Sequence, residues 1–168
     1  MESILGELVF DDRTGEITLN RDRFVLIRPE TLAALARAAG GEADRIFFKA
    51  GQEGGRIAAG KLWAEHGKDP EAVVRSLLDM GGAIGWARMK LTVWEGQDRG
   101  FRVEARSRTL DWPGGAGWEL LGGILSGLGQ VVFQGRVSVS RKPLGGRAEP
   151  VPGVRYAVRG KTTQPRRL

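Results

Sequence analysis

The stretch EADRIFFKAGQEGGRIAAGKLWAE, Glu42–Glu65, decides how this chain is read. Ala43, Ile46, Phe47, Ala50, Ile57, Ala58 and Leu62 recur at the spacing of one helical face. Gly51, Gly54, Gly55 and Gly60 lie inside the same span, and each costs a helix about 0.5–1 kcal/mol relative to Ala. The rows Ala50/Gly54/Ala58 and Gly51/Gly55/Ala59 repeat every four residues. Such rows make a smooth surface that another backbone, or a ligand, can approach closely, and that gain offsets the lost helix propensity.

Upstream, Pro29 opens a shorter helix at a favourable first position. Leu32, Leu35, Ala36 and Ala39 follow at helical spacing, and Gly40-Gly41 ends it. Residues 7–10 and 16–27 read as two strands around the turn Asp11–Gly15. The apolar run Phe24-Val25-Leu26-Ile27 has the pattern of a strand buried on both faces. Downstream, Asp69 is an N-cap followed by Pro70 and Glu71. Val73, Val74, Leu77 and Leu78 form the stripe of a third helix, closed by Gly81-Gly82.

Residues 84–95 then read as a long strand. Met89, Leu91 and Val93 share one face, and Trp86, Arg88, Lys90, Thr92 and Trp94 share the other. Gly96–Gly100 is a hairpin connection. The returning strand sets Phe101, Val103 and Ala105 against Arg102, Glu104 and Arg106. A fourth helix over 116–132 is smoothed by Gly122, Gly123, Gly127 and Gly129. Two last strands lie near Val137–Val139 and Val154–Val158. Hairpins alternating with helical blocks predict an α+β fold, an antiparallel twisted sheet with helices packed on it. A length of 168 residues suits one domain over 1–160, with a basic, disordered tail over 161–168.

Composition removes several chemistries. There is no Cys and one His, His66. Disulfides, thiolate or multi-His metal sites and a Cys nucleophile are therefore excluded. No apolar run approaches the roughly 18–20 residues of a membrane span. The N-terminus lacks a secretory pattern, so a cytoplasmic location is expected. Residues 1–135 hold 17 Lys/Arg and 19 Asp/Glu, whereas residues 136–168 hold 9 Lys/Arg and Glu149 alone. The basic character thus belongs to the last fifth of the chain.

Five short patterns occur in a familiar order. Arg23–Leu32 has the form Arg-x-apolar-apolar-x-Arg-Pro-x-x-Leu. Ala50-Gly51 and Gly55 follow on the long helix, then Gly81-Gly82-Ala83-Ile84-Gly85-Trp86 leads into the hairpin. Gly122–Leu128 is a small-residue helix, and Val154-Arg155-Tyr156-Ala157-Val158 a basic-aromatic strand. Over about residues 20–160 the chain resembles the four-vinyl-reductase domain family of hydrocarbon-binding proteins. The resemblance implies a fold like that of the TRAPP vesicle-tethering subunits and the sensor domains of phenol-responsive activators. It further implies a homodimer with an internal pocket for a small aromatic or apolar ligand. Many members hold zinc through Cys residues. The corresponding positions here fall near Gly117 or Trp118, Pro143 and Val154, so the resemblance implies that the zinc site is lost.

Trp63, Trp86, Trp94, Trp112 and Trp118 are the compositional sign of a pocket, because aromatic rings line apolar sites. By the resemblance, the ligand sits between the long helix and the hairpin. That nominates Phe47, Phe48, Gly51, Gly55, Trp86, Met89 and Phe101 as ligand-binding residues, with core packing the competing role of each. No catalytic residue is nominated. His66 reads as a helix-terminal side chain, and the serines lack a Gly-x-Ser-x-Gly setting. Gly51–Gly55 lacks the P-loop ending, and Gly81–Gly85 precedes a strand, so no phosphate loop, cofactor or metal is expected. The face of Arg88, Lys90, Trp94, Arg102 and Arg106 mixes cations with an aromatic, but Glu104 interrupts it. It reads as a solvated sheet face, and nucleic acid is not an expected partner. The function expected is that of a homodimeric sensor or carrier for a small hydrophobic molecule, coupled to a separate output protein. The alternatives are an enzyme or accessory factor of tetrapyrrole vinyl reduction, and a dimeric scaffold.

Overall fold

The computed structural model describes residues 9–19, 22–25, 27–66, 69–96, 100–144 and 151–160. The segment 161–168 lies outside them. Eleven principal elements follow in order: β1 (Val9–Asp11), β2 (Glu16–Leu19), β3 (Asp22–Phe24), α1 (Pro29–Ala39), α2 (Ala43–Glu65), α3 (Pro70–Ala83), β4 (Arg88–Trp94), β5 (Phe101–Arg106), α4 (Ala116–Val132), β6 (Val137–Pro143) and β7 (Gly153–Gly160). The strands form two antiparallel sheets, β1-β2-β3 and β4-β5-β7-β6, and helices α3 and α4 pack on the second. The architecture is α+β.

The main packing event joins α2 to α4. Gly51 faces the carbonyl of Leu120 and Gly55 that of Ile124, while Gly123 and Gly127 face the carbonyls of Phe48 and Gln52. Any Cβ at these four positions would overlap backbone, so the glycines allow the two helix backbones to touch. The smooth row Gly51/Gly55/Ala59 is buried in this contact, whereas Ala50 and Gly54 are exposed. Gln52 Nε2 donates to Ser126 Oγ at 2.9 Å and satisfies the polar groups at the contact.

Below α4, Leu121, Leu125, Leu128 and Val132 meet Val103, Tyr156 and Val158 of the sheet in a fully buried core. Tyr156, 1% exposed, donates its hydroxyl to the carbonyl oxygen of Trp118 at 2.5 Å. Burial pushes its pKa well above the ordinary 10.0. Below pH 10 the phenol is neutral whether the chain is folded or not, and it adds no pH dependence. Above that, the unfolded chain releases a proton that the folded chain keeps. Stability should then fall by up to about 1.4 kcal/mol per pH unit. Tyr156 is the sole tyrosine, so alkaline titration followed by phenolate absorbance checks this directly. Absorbance should rise only as the protein unfolds. A phenolate signal near pH 10 with native circular dichroism would contradict it.

Three local expectations are corrected. The run at Phe24–Ile27 is no doubly buried strand: β3 ends at Phe24, Val25 is 84% exposed, and Ile27 is exposed. Leu26 lies outside the described residues. Gly81-Gly82 does not close α3, which continues to Ala83; the chain turns at Gly85 (φ 86°), and the strand begins only at Arg88. The turn is possible because Trp86 N bonds back to the carbonyl of Gly81 at 3.0 Å. Finally, Trp94 does not share a face with Arg88 and Lys90. A bulge between Leu91 and Val93 shifts the register and pairs Trp94 with Phe101. The extra residue turns the indole to the core side, where it clusters with Phe101 and Phe133 at centroid distances of 6.3 and 6.5 Å.

Candidate functional site

Helix α3 packs against α2. Asp69 caps it, accepting from the backbone N–H groups of Glu71 and Ala72 at 3.0 and 3.2 Å. His66, at the C-terminal end of α2, shares a 2.8 Å hydrogen bond between Nε2 and the Oγ of Ser76. That bond ties the end of α2 to the middle of α3. A cavity of about 260 Å³ is lined by α2, α3 and α4, by Ile84 and Trp86 after α3, and by Met89 of β4.

The cavity floor is aliphatic: Leu77, Leu78, Leu121 and Leu125 are all buried. Ile84, Trp86 and Met89 form the wall toward the sheet. Gly54, Lys61 and Glu65 of α2 line it too, and all three are exposed, so they mark its solvent edge. The chemistry of such a space follows from its lining. It offers dispersion contacts and one indole face, with charge only at the rim. Water inside it would find few hydrogen-bond partners, so an apolar guest competes well with water there.

Of the residues nominated from sequence, Gly55, Trp86 and Met89 line this cavity. The other four lie elsewhere. Gly51 is buried against the Leu120 carbonyl. The Phe47 ring meets Trp112 edge-on, centroids 5.4 Å apart. The Phe48 ring lies beside Gly122. Phe101 joins the stack of Trp94 and Phe133. Helix α2 contributes six of the sixteen lining residues and α3 and α4 together seven, and the leucines of α3 and α4 are indistinguishable in sequence from ordinary core residues. Gly81 was legible only as a helix end, yet it is buried at the cavity wall, where a Cβ would meet only the methyl of Met89.

The positions at which the resembling family carries zinc ligands have other neighbours here. Pro143 and Val154 are cross-strand partners, and Gly117 abuts the backbone of Leu110. Among the described residues, no three His, Asp or Glu side chains gather as a metal site, and no helix is long and apolar enough to cross a membrane.

No protein-family model matches the chain, and no curated protein matches it significantly. Among solved structures, the chain is similar to the phenol-responsive sensory domain of the transcription activator PoxR, crystallised with phenol. The TM-score is 0.70 at 15% sequence identity, over 93% of this chain and 86% of that one. The similarity shows that the chain shares the fold of that domain.

Proposed function

We propose that this chain is a sensor or carrier module that takes one small apolar or aromatic molecule into the cavity between α2, α3, α4 and β4, and that it acts as a homodimer. The observation that carries this is the aliphatic floor of a 260 Å³ space with Trp86 on its wall. An apolar cavity of about 150 Å³ already admits benzene. The space therefore suits one substituted ring, or two small ones. A tetrapyrrole is several times larger than a single ring, which weighs against vinyl reduction on that macrocycle. The likeness to a phenol-responsive sensory domain and the resemblance to hydrocarbon-binding proteins both support the choice of ligand class. Occupancy would favour the arrangement in which α2 and α3 grip the guest, and a partner protein would read that population shift.

The homodimer is supported by the N-terminal sheet. A small sheet needs an apolar face covered by packing to be stable, yet β1-β2-β3, with strands of 3–4 residues, has no substantial packing on the helices or the second sheet among the described residues. Phe10, a register partner of Ile17, is 63% exposed. Leu35 of α1 and Ile57 of α2 are exposed as well. A second copy can cover both apolar surfaces reciprocally.

Two measurements test the reading. Thermal-shift screening with phenols, short alkyl acids and porphyrins should find a phenol-sized compound that raises Tm. A ligand at a hundred times its Kd adds about 2.7 kcal/mol, or roughly 5–10 °C for a chain of this length. No shift from any ring compound, or a shift from porphyrin alone, would sink it. Sedimentation should give twice the 18.2 kDa chain mass, and Phe10→Asp should yield monomer. A wild-type monomer would remove the dimer from the proposal.

A further inference from the structure

We infer, taking the cavity as the ligand site proposed above, that Ser107 is the residue that positions Trp86 in its wall. Through Trp86, Ser107 sets the preference of the site for an aromatic guest over a saturated one, although it does not itself line the cavity. Along β5 the buried side chains are Phe101, Val103 and Ala105. Alternation brings position 107, directly after the strand, to the same face. The residue there is a serine, and it is 6% exposed. A hydroxyl at a core-facing position costs stability unless it is paired, so its partners say what it is for.

Ser107 Oγ donates to the carbonyl oxygen of Trp86 at 2.6 Å and accepts the backbone N–H of Leu110 at 3.1 Å. The backbone N–H of Ser107 donates to the Pro152 carbonyl at 3.1 Å. The bond from Leu110 caps the turn after β5, and a cap needs only an acceptor. The bond given to Trp86 is a separate use of the hydroxyl, and it reaches the cavity wall.

Among the described residues, Trp86 is the one aromatic that lines the cavity. It belongs to neither neighbouring element, since α3 ends at Ala83 and β4 begins at Arg88. The residue before it, Gly85, has a φ of 86°, so the connection includes a glycine hinge. Two bonds hold the Trp86 backbone across that hinge. Its N–H donates to the Gly81 carbonyl of α3 at 3.0 Å, and its own carbonyl accepts from Ser107 beyond β5. Pinned between helix and sheet, the Cα–Cβ bond of Trp86 has one direction, and the indole is held where it is. Without the Ser107 hydroxyl the carbonyl loses its donor and the connection shifts to find another, carrying the indole with it. Leu77, Leu78, Leu121 and Leu125 sit on helices α3 and α4, so the aliphatic floor does not depend on this bond. Loss of Ser107 therefore removes the aromatic contact and spares the rest.

The test is calorimetric titration of the full chain with toluene and with methylcyclohexane, one carbon skeleton in aromatic and saturated form. Ser107→Ala should weaken toluene about fivefold, the size of one aromatic contact, and methylcyclohexane less than about twofold. Ser107→Thr keeps the hydroxyl and should restore toluene. Trp86→Leu should show the same ring-selective loss, and adding Ser107→Ala to it should weaken toluene no further, because the two residues act as a unit. A hydroxyl that served stability alone would lower Tm without changing the ratio of the two affinities. Should Ser107→Ala not fold, Ser107→Cys takes its place, since a thiol is only a weak donor. The role of Ser107 is overturned if the Ala or Cys variant binds toluene like wild type, if both guests weaken equally, if Thr does not restore toluene, or if the losses at Ser107 and Trp86 add. Wild-type protein that binds neither guest would overturn the cavity reading as well. Wild-type binding that Gly81→Leu blocks, with the ratio unchanged in Ser107→Ala, would leave the cavity standing and remove Ser107 alone.

Discussion

Gly81→Leu should abolish binding of the small apolar ligand while leaving the fold intact. The substitution places an isobutyl group at the cavity wall, where the one atom close to its Cβ is the flexible methyl of Met89. Gly81 lies in the last turn of α3 and has no positive φ. Exchange for Leu therefore gains helix propensity, up to about 0.8 kcal/mol. With the cavity partly filled from within, affinity should fall at least a hundredfold, about 2.7 kcal/mol. Calorimetric titration of the compound found by thermal shift, alongside a melting curve, measures both effects. Unchanged affinity in a folded Gly81→Leu protein would show that the ligand binds elsewhere.

The same experiment at Gly55 would be uninformative, although Gly55 also lines the cavity. Its Cβ would strike the backbone of Ile124, so lost binding could not be told from lost helix packing.

The second large effect is on stability. Gly123→Leu should fail to fold, and Gly127→Ala should cost about 3 kcal/mol or more. A Cβ at Gly123 runs into the Phe48 carbonyl and approaches Gln52 N at 2.9 Å; at Gly127 it meets the Gln52 carbonyl and Arg56 N. Both obstacles are main chain of a 23-residue helix, which cannot step aside as a side chain can. Overpacking costs about 1–3 kcal/mol where neighbours yield and more where they do not. A total stability of about 5–15 kcal/mol does not survive several such insults. Gly54→Ala is the control. It lies on the same helix as the contacted backbone, has nothing within 4 Å of its Cβ, and should stabilise by up to about 1 kcal/mol. Urea denaturation of the three variants gives the comparison. A Gly127→Ala protein as stable as wild type would mean that α2 and α4 are not in backbone contact.

Much of this protein was decided by local sequence alone. The stripe of Val73, Val74, Leu77 and Leu78, the cap at Asp69 and the prolines at the starts of α1 and α3 act within a few residues, through capping bonds and backbone torsion. They place the helices without knowledge of the rest of the chain. Alternation at Phe101, Val103 and Ala105 likewise names the buried face of β5, since successive side chains in a strand must point oppositely. The glycine rows announced a close approach to α2. Whether a ligand or a backbone made that approach depended on α4, more than fifty residues away, and the row Gly51/Gly55/Ala59 went to the helix.

Only tertiary structure decided the rest. The cavity exists because α2, α3, α4 and the connection into β4 leave a space between them, and no pattern in Leu77 or Leu125 distinguishes a leucine facing a void from one facing a neighbour. The bulge after Leu91 turned Trp94 inward, an effect of strand register that strict alternation misses. Sequence periodicity reports which side of an element is apolar; the size of a space and the register of partners arise between elements, from contacts that no local stretch encodes.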